Sequence, residues 1–447
     1  MPFKFFTVLI CFCVSFYARS QAVPAYSVTL VTEQSTGHYF VTAAHPGNVS
    51  THSVSYNMIL ENNGDLLYFK KFVGEAKSGD FKLLPNGLIS YFSKDKFYLM
   101  DKAFKLVDSV YCKNGISTDR HELKLLKDGH FLLLGSEEIL INLSAHQIFK
   151  PNNAAGSPNT TVTCGVLQEL DAKKNVVFEW HSKDYFKFKD MDTFYLADPK
   201  KLDWTHCNAA EQDQDGNFLL SVRNFSEITK INRKDSSIIW RLGGARNQFT
   251  FKNDPDKFKG QHDVISLANG NITLFDNGRA YAPFHPATAK EYSLDEKTLT
   301  ATLVWKFVND SNAYSSSGLG NVQRLADGST LINYGSSNKS RTLFSVLSPL
   351  GEKYFEMFFK DNRRSYRVFN YKDLKFAVKR PAIKTFKKNG QLYLDAGKGY
   401  SAYLWSNGAS TRIIPAKANA VYFVGVPAND GGYIVSPPYT TEEKSKK

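Results

Sequence analysis

The chain has 447 residues, 42% of them hydrophobic and 14% aromatic. That content excludes a disordered chain and suits one large β-rich domain plus a smaller one. The formal charge is +13, and residues 372–447 carry thirteen Lys/Arg against five Asp/Glu. This concentrates the basic balance at the C-terminus, and no basic stripe with interleaved stacking aromatics points to nucleic acid.

In chain order, Lys4 and the apolar run Phe5 to Tyr17 read as the start of a secretory signal. Ala18-Arg19-Ser20 places small residues where a signal peptidase needs them, so residues 1–20 are expected to be removed before Gln21 and the protein to be secreted or periplasmic. No other apolar run reaches the ~18 residues of a membrane span. Cys11 and Cys13 fall in the signal. Cys112, Cys164 and Cys207 remain, an odd number that allows at most one disulfide, and none has zinc-ligand spacing.

Residues 21–370 contain a repeat. Its first half is a strand, an Asn-Gly or Asp-Gly turn and a second strand, as in Lys82–Tyr91, Lys124–Leu134, Glu211–Val222, Ser266–Asp276 and Gln323–Tyr334. Such dipeptides accept the positive φ values of a tight hairpin. The second half is another hairpin, as in Gly165–Trp180 and Glu227–Leu242. Four strands per unit and about six units predict an all-β, six-bladed β-propeller. The blades fall near 37–72, 79–110, 119–182, 205–243, 261–307 and 319–359, with insertions at Asn142–Thr163 and Ser182–Pro199. The repeat then ends. Residues 383–437 read as a small C-terminal β-sandwich-like module, dispensable for chemistry, and 438–447 as a polar tail.

Three histidines occupy similar places in three repeats. His121 and His262 lie eight residues before the Gly of the turn, and His206 lies ten before it. Even offsets put all three on one strand face, so they are expected to converge. Singly, each is more often structural than catalytic. Together they outweigh that reading. Around His206, Asp203–Asn208 (DWTHCN) and Leu219–Asn224 (LLSVRN) place Arg223 opposite Asn208 and diagonal to His206 if Asp215-Gly216 is the turn. His, Asn and Arg on one face make an anion site, because Arg offers a fixed fork of donors. Zinc would also suit three His, but a neighbouring Arg223 argues against a divalent cation. Gly260 permits close approach, and a neutral His262 imidazole can attack a sulfuryl or phosphoryl centre. Asp263 is expected on the opposite face.

These motifs, with Glu227–Gly244 (EITKINRKDSSIIWRLGG) and Gln261–Gly278 (QHDVISLANGNITLFDNG), resemble the bacterial arylsulfate sulfotransferases. The resemblance runs from about residue 60 to 360. It implies a six-bladed propeller and sulfuryl transfer from a small aryl sulfate donor to a phenolic acceptor, with no nucleotide sulfate donor, cofactor or metal. It implies that His262 is transiently sulfated, and that His121, His206 and Arg223 bind the sulfate, with Asn208 at a polar position of the motif. Sulfuryl transfer needs in-line positioning and charge stabilisation. His121 or His206 would protonate the leaving phenolate, and the sequence does not choose between them. Two other readings are a non-catalytic secreted propeller that binds an anionic or sulfated ligand, and an aryl sulfate hydrolase. The oligomeric state is not legible.

Overall fold

The computed structural model of the protein describes all residues except 1–22, 33, 46–53, 75–77, 146–156, 192–199, 279–283, 310–314, 337–341, 375 and 442–447. The expected signal segment and residues 146–156 and 192–199 of the two insertions lie outside the described residues. Among those described, the protein is all-β, with helix confined to short turns such as Ser182–Tyr185 and Arg223–Phe225.

Among the described residues, six sheets follow one another along the chain, antiparallel except for one added parallel strand on each of the third and fifth. The second to sixth begin with the inner strands Ser78–Leu83, Ser117–Leu125, Cys207–Gln212, His262–Ser266 and Asn321–Arg324, each followed outward by three more strands in sequence order. The first differs. Its inner strand is Val368–Tyr371, from the far end of the chain, paired with His38–Ala44 and continued by Val54–Leu60 and Leu66–Val73. Conversely, the N-terminal strand Tyr26–Val31 adds to the outer edge of the sixth sheet.

The turn residues explain the recurring Asn-Gly and Asp-Gly pairs. In Leu84–Leu88, Leu126–His130, Asp213–Asn217, Leu267–Asn271 and Leu325–Ser329, the first residue's N–H donates to the fifth carbonyl and the Gly N–H donates back to the first. Only the Gly has positive φ, between 83° and 86°. The turns are therefore type I followed by a glycine bulge, not the two-residue form with positive φ at both positions. The Asn or Asp instead accepts, through its side chain, the N–H two residues on, as Asp128 does from His130 at 3.1 Å and Asp215 from Asn217 at 3.0 Å.

Apolar residues on both faces of each sheet pack between neighbours. Phe40, Ile59 and Phe81 join the first and second sheets. Leu99 and Leu133 join the second and third, and Leu167, Trp180 and Leu220 the third and fourth. Leu219, Trp240 and Leu274 continue to the fifth, and Phe275 and Ile332 to the sixth. Tyr39, Met58, Phe344 and Phe355 bring the sixth back to the first.

At the middle, the Arg367 guanidinium takes Asp80 at 3.1 Å, Glu122 at 2.9 Å and Asp263 at 2.9 Å, from three different sheets. Lys82 adds to Asp80 and Glu122 at 2.6 and 2.8 Å. All five side chains are buried. A buried charge cluster of this kind is tolerated because every charge has partners.

The C-terminal residues have a small core of their own around Leu394, Trp405, Ile414 and Val424. They also extend the first sheet, because Tyr433–Val435 pairs with its outer strand at Phe69 and Tyr68. Arg380 donates to Glu61, the Leu66 carbonyl and the Val435 carbonyl at 2.6–2.9 Å. At the start of the expected tail, Tyr439–Thr440 pairs with Val421–Tyr422.

Candidate functional site

His121, His206, His262 and Arg223 converge at one end of the inner strands. The His121 and His206 rings lie 5.1 Å apart, and the charges of Arg223, His206 and His121 all act on His262.

Simple alternation does not bring them together. Each inner strand is irregular where its histidine sits. The third sheet's register shifts between Leu133 and Gly135, opposite the segment that holds His121. His206 has φ of 45° and precedes its strand. The fifth sheet shifts between His262 and Ile265, with Asp263 at φ 61°. A bulge re-aims side chains. It turns His262 to the site while Asp263 turns inward to Arg367.

The fourth sheet is bulged at Asn208, so Val222 rather than Arg223 reaches its partner strand, opposite Cys207. Arg223 begins a 3₁₀ turn, and its N–H donates to the His206 carbonyl at 3.2 Å. Asn224 fixes this turn by donating from its side chain to the Asp203 carbonyl at 2.6 Å. The expected pairing of Arg223 with Asn208 is thus replaced by one with His206. Asn208 is fully buried and donates to the Gln261 carbonyl at 2.8 Å, which ties the fourth sheet to the residue before His262. Gly260, at φ 57°, starts this segment.

Each imidazole is held from behind through Nδ1. Asp119 accepts from His121, and also takes the His121 backbone N–H at 2.8 Å. Asp203 accepts from His206 at 2.5 Å. For His262 the acceptor is an amide, Asn277 Oδ1, at 2.7 Å. On the other side of this ring, the Leu319 N–H donates to Nε2 at 3.1 Å. The same loop meets Arg223, which donates to the Ser317 carbonyl at 2.9 Å.

Burial, then the Arg223 charge and the two other imidazoles, holds His262 well below the usual histidine range. Burial also lowers His121, while Asp119 opposes that fall. Burial alone would raise Asp119, but the His121 charge and hydrogen bonds and the His206 charge outweigh it and bring this carboxyl down to about 2. Asp203 is likewise lowered against its burial by His206, His121 and Arg223. The site therefore joins a neutral buried imidazole, a fixed cation and two imidazoles backed by carboxylates. This set can accept an anion and move protons around it.

His121, His206 and both carboxylates open on a cleft of about 440 Å³ that also touches Phe92, Arg120 and Lys201. Cys164 and Cys207 lie in its wall as free, buried thiols, as Cys112 is nearby, and burial pushes each up to about 12. Among the described residues, Asp128, His130 and Glu169 form the one group spaced to hold a metal ion. None belongs to the site, and Arg233 bridges the two carboxylates.

Four neighbours of the site escaped the sequence reading. Asp119 and Asp203 precede their histidines by two and three residues, a readable signal. Asn277 lies inside the motif Gln261–Gly278. Tyr366 gave no signal. Its ring lies 5.2 Å from that of His121 and its hydroxyl donates to the Asn208 carbonyl at 2.8 Å, because the C-terminal strand of the first sheet brings it there.

An all-β protein whose inner strands gather a neutral histidine, an arginine and two carboxylate-backed histidines has the makings of a group-transfer enzyme for anionic esters. The arylsulfotransferase (ASST) family model matches residues 27–367, and the chain belongs to that family. Membership supports aryl sulfotransferase activity on small-molecule donors and acceptors. No curated protein matches the sequence. Among solved structures, the chain is similar to a protein of unknown function from Bacteroides caccae at 11% identity and TM-score 0.46, covering 75% of this chain and 98% of that one. It is also similar to a catalytically inactive virginiamycin B lyase from Staphylococcus aureus, at 10% identity and TM-score 0.37 over 74% and 87% of the two chains. A gluconolactonase from Xanthomonas campestris gives 11% identity and TM-score 0.38 over 75% and 90%. Likenesses at these scores carry no functional argument. Among the described residues, no helix is long and apolar enough to cross a membrane.

Proposed function

We propose that the protein is a secreted, six-bladed propeller enzyme that moves a sulfuryl group from an aryl sulfate to a phenol through a sulfohistidine at His262. The observation that carries this reading is the state of His262: buried, neutral, its Nδ1 bound by Asn277 and its Nε2 lone pair directed at the loop that also meets Arg223. Six sheets packed in sequence, with the sixth returned to the first, support the propeller.

In the first half-reaction the donor displaces the Leu319 N–H from Nε2. Nε2 attacks sulfur, the S–O bond to the aryl group breaks, and the phenolate leaves. Arg223 holds the sulfuryl oxygens, whose charge is spread in a loose transition state. A carboxylate-backed imidazole, His206 or His121, gives the phenolate its proton. In the second half-reaction the acceptor phenol gives its proton to that imidazole, its oxygen attacks sulfur, and the N–S bond breaks. The carboxylates suit this task, because each stabilises the imidazolium that forms.

The test is incubation with a chromogenic aryl sulfate, with and without added phenol. A burst of one coloured phenol per active site, followed by turnover only when acceptor is present, is expected. Steady release without acceptor would make the protein a hydrolase, and no release at all would leave a sulfated-ligand binder. His262→Ala is expected to lose both burst and turnover, and an alkaline digest of the stopped wild-type reaction to carry the adduct on the His262 peptide. N-terminal sequencing of exported protein should begin at or near Gln21.

A further inference from the structure

Three imidazoles share this site, and they differ in what stands behind them. His121 and His206 face carboxylates, Asp119 and Asp203, whereas His262 faces the uncharged amide of Asn277. We propose that Asn277 is a positioning residue that fixes the reactive tautomer of His262, and that its lack of charge is what separates the nucleophile from the two acid–base histidines. This rests on the reading of His262 as nucleophile.

The orientation of Asn277 is determined by its second hydrogen bond. Its Nδ2 donates to the Leu319 carbonyl at 2.9 Å. A carbonyl only accepts, so the amide nitrogen must lie there and Oδ1 must face His262. Oδ1 only accepts, so His262 Nδ1 carries the proton. The other ring nitrogen agrees independently. The Leu319 N–H donates to Nε2, which must present a lone pair. Two contacts on opposite sides of the ring thus select one tautomer, with Nε2 free of hydrogen and able to attack.

The charge argument is separate. The titratable or charged groups acting on His262 are Arg223, from the turn of the fourth sheet, His206 and His121. Asp263 is bound to Arg367, and Asp276 is bound by His285 and Lys290 at 2.8 and 2.9 Å. Among the described residues, the leading influences on this ring include no carboxylate to offset the effect of Arg223 there. A carboxylate at 277 would do so, would favour the imidazolium, and would consume the lone pair that attacks sulfur. At His121 and His206 it is the reverse change, amide for carboxylate, that would impair the ring. There the carboxylate stabilises the protonated ring that gives up or receives the phenol proton.

The test combines spectroscopy with kinetics on the full chain. Nitrogen NMR of ¹⁵N-histidine-labelled wild-type protein, with His262 assigned by its loss in His262→Ala, is expected to show a neutral ring protonated at Nδ1. In Asn277→Asp the imidazolium should persist to higher pH by about one to two units, as an opposite charge within ~4–6 Å produces. The acid limb of the phenol burst should move up with it. Asn277→Ala removes the lock without adding charge, so it should slow the burst on the order of 10²-fold while its acid limb does not rise. Asp203→Asn should slow turnover more for phenols of high pKa than for nitrophenol, because only the former need a proton on leaving. A wild-type His262 protonated at Nε2, or an Asn277→Asp burst whose acid limb stays in place, would overturn the proposal. An adduct found on another histidine would defeat the nucleophile reading instead, and the tautomer measurement tells the two failures apart.

Discussion

Arg367 Nε meets Asp263 at 2.9 Å, so the residue next to His262 is held by a side chain from the far end of the chain. Arg367 immediately precedes Val368–Tyr371, the inner strand that completes the first sheet. Burial tends to raise Asp263, to about 6, against the charges of Arg367 and Lys124. The strand that completes the first sheet and the backbone kink that aims His262 are therefore linked by one buried guanidinium.

Removing that guanidinium should be severe. Arg367→Ala leaves Asp80, Glu122 and Asp263 buried, with Lys82 paired to the first two and the charge of Lys124 acting on the last two. Breaking a buried charge cluster costs about 3–5 kcal/mol. Denaturant unfolding is expected to show a loss of that size, or the variant to be insoluble. Arg367→Lys should recover part of it, since one ammonium cannot reach all three acids. Wild-type stability in Arg367→Ala would remove the cluster from the account of the fold.

Arg223 is expected to behave differently. It begins a 3₁₀ turn that the backbone N–H groups of Arg223, Asn224 and Ser226 and the Asn224 side chain fasten. Arg223→Lys keeps charge but loses the fork, so transfer should fall on the order of 10²-fold while the unfolding midpoint stays in place. Equal rates for the two proteins would take Arg223 out of the site.

The C-terminal residues bear on stability through their contacts with the first sheet. A chain stopped after residue 375 would lose the strand on the outer edge of the first sheet, together with Arg380 and the Tyr68 and Lys70 contacts to Asp430. Such a truncation is expected to unfold at lower temperature, while activity per folded molecule persists. Arg380→Ala should show the milder form, about 1–3 kcal/mol for the hydrogen bonds to Glu61 and two carbonyls. An unchanged melting temperature in the truncated chain would make the module an independent appendage.

The histidines also set a pH dependence. His262 and His121 are both lowered in the folded protein, so the unfolded chain binds more protons below the usual histidine value of about 6.5. Stability should then fall as pH drops below about 6.5, by up to about 1.4 kcal/mol per pH unit for each ring. Asp119 is lowered as well, so its contribution falls in the same direction, but it is lost only between about pH 4 and 2. Unfolding measured from pH 7.5 to 5 checks this, and His262→Ala should flatten part of the slope. The phenol burst, by contrast, should hold its rate through pH 6, because the lone pair of His262 stays free.

Sequence alone determined the strands, the turns and the identity of the gathered histidines, because these are local properties. An Asn or Asp before Gly specifies its turn through its own side chain, as Asp128 and Asp215 do, whatever surrounds it. The recurrence of these turns marked the strands on either side for the same reason. His121, His206, His262 and Arg223 could be singled out because their motifs repeat. Tertiary structure decided how they meet. Parity along ideal strands gave the right gathering for an incomplete reason, since a bulge or a left-handed residue interrupts each strand at the site. Asn208 looked like a ligand by position, and the bulge there turned it to the neighbouring sheet. Tyr366 and Arg367 reach the site where the strand that follows them pairs with the first sheet, a contact between residues more than 300 apart in the chain, and Leu319 meets His262 from 57 residues away. Such contacts leave no periodic trace, because the residues that make them are neighbours only after the chain has folded.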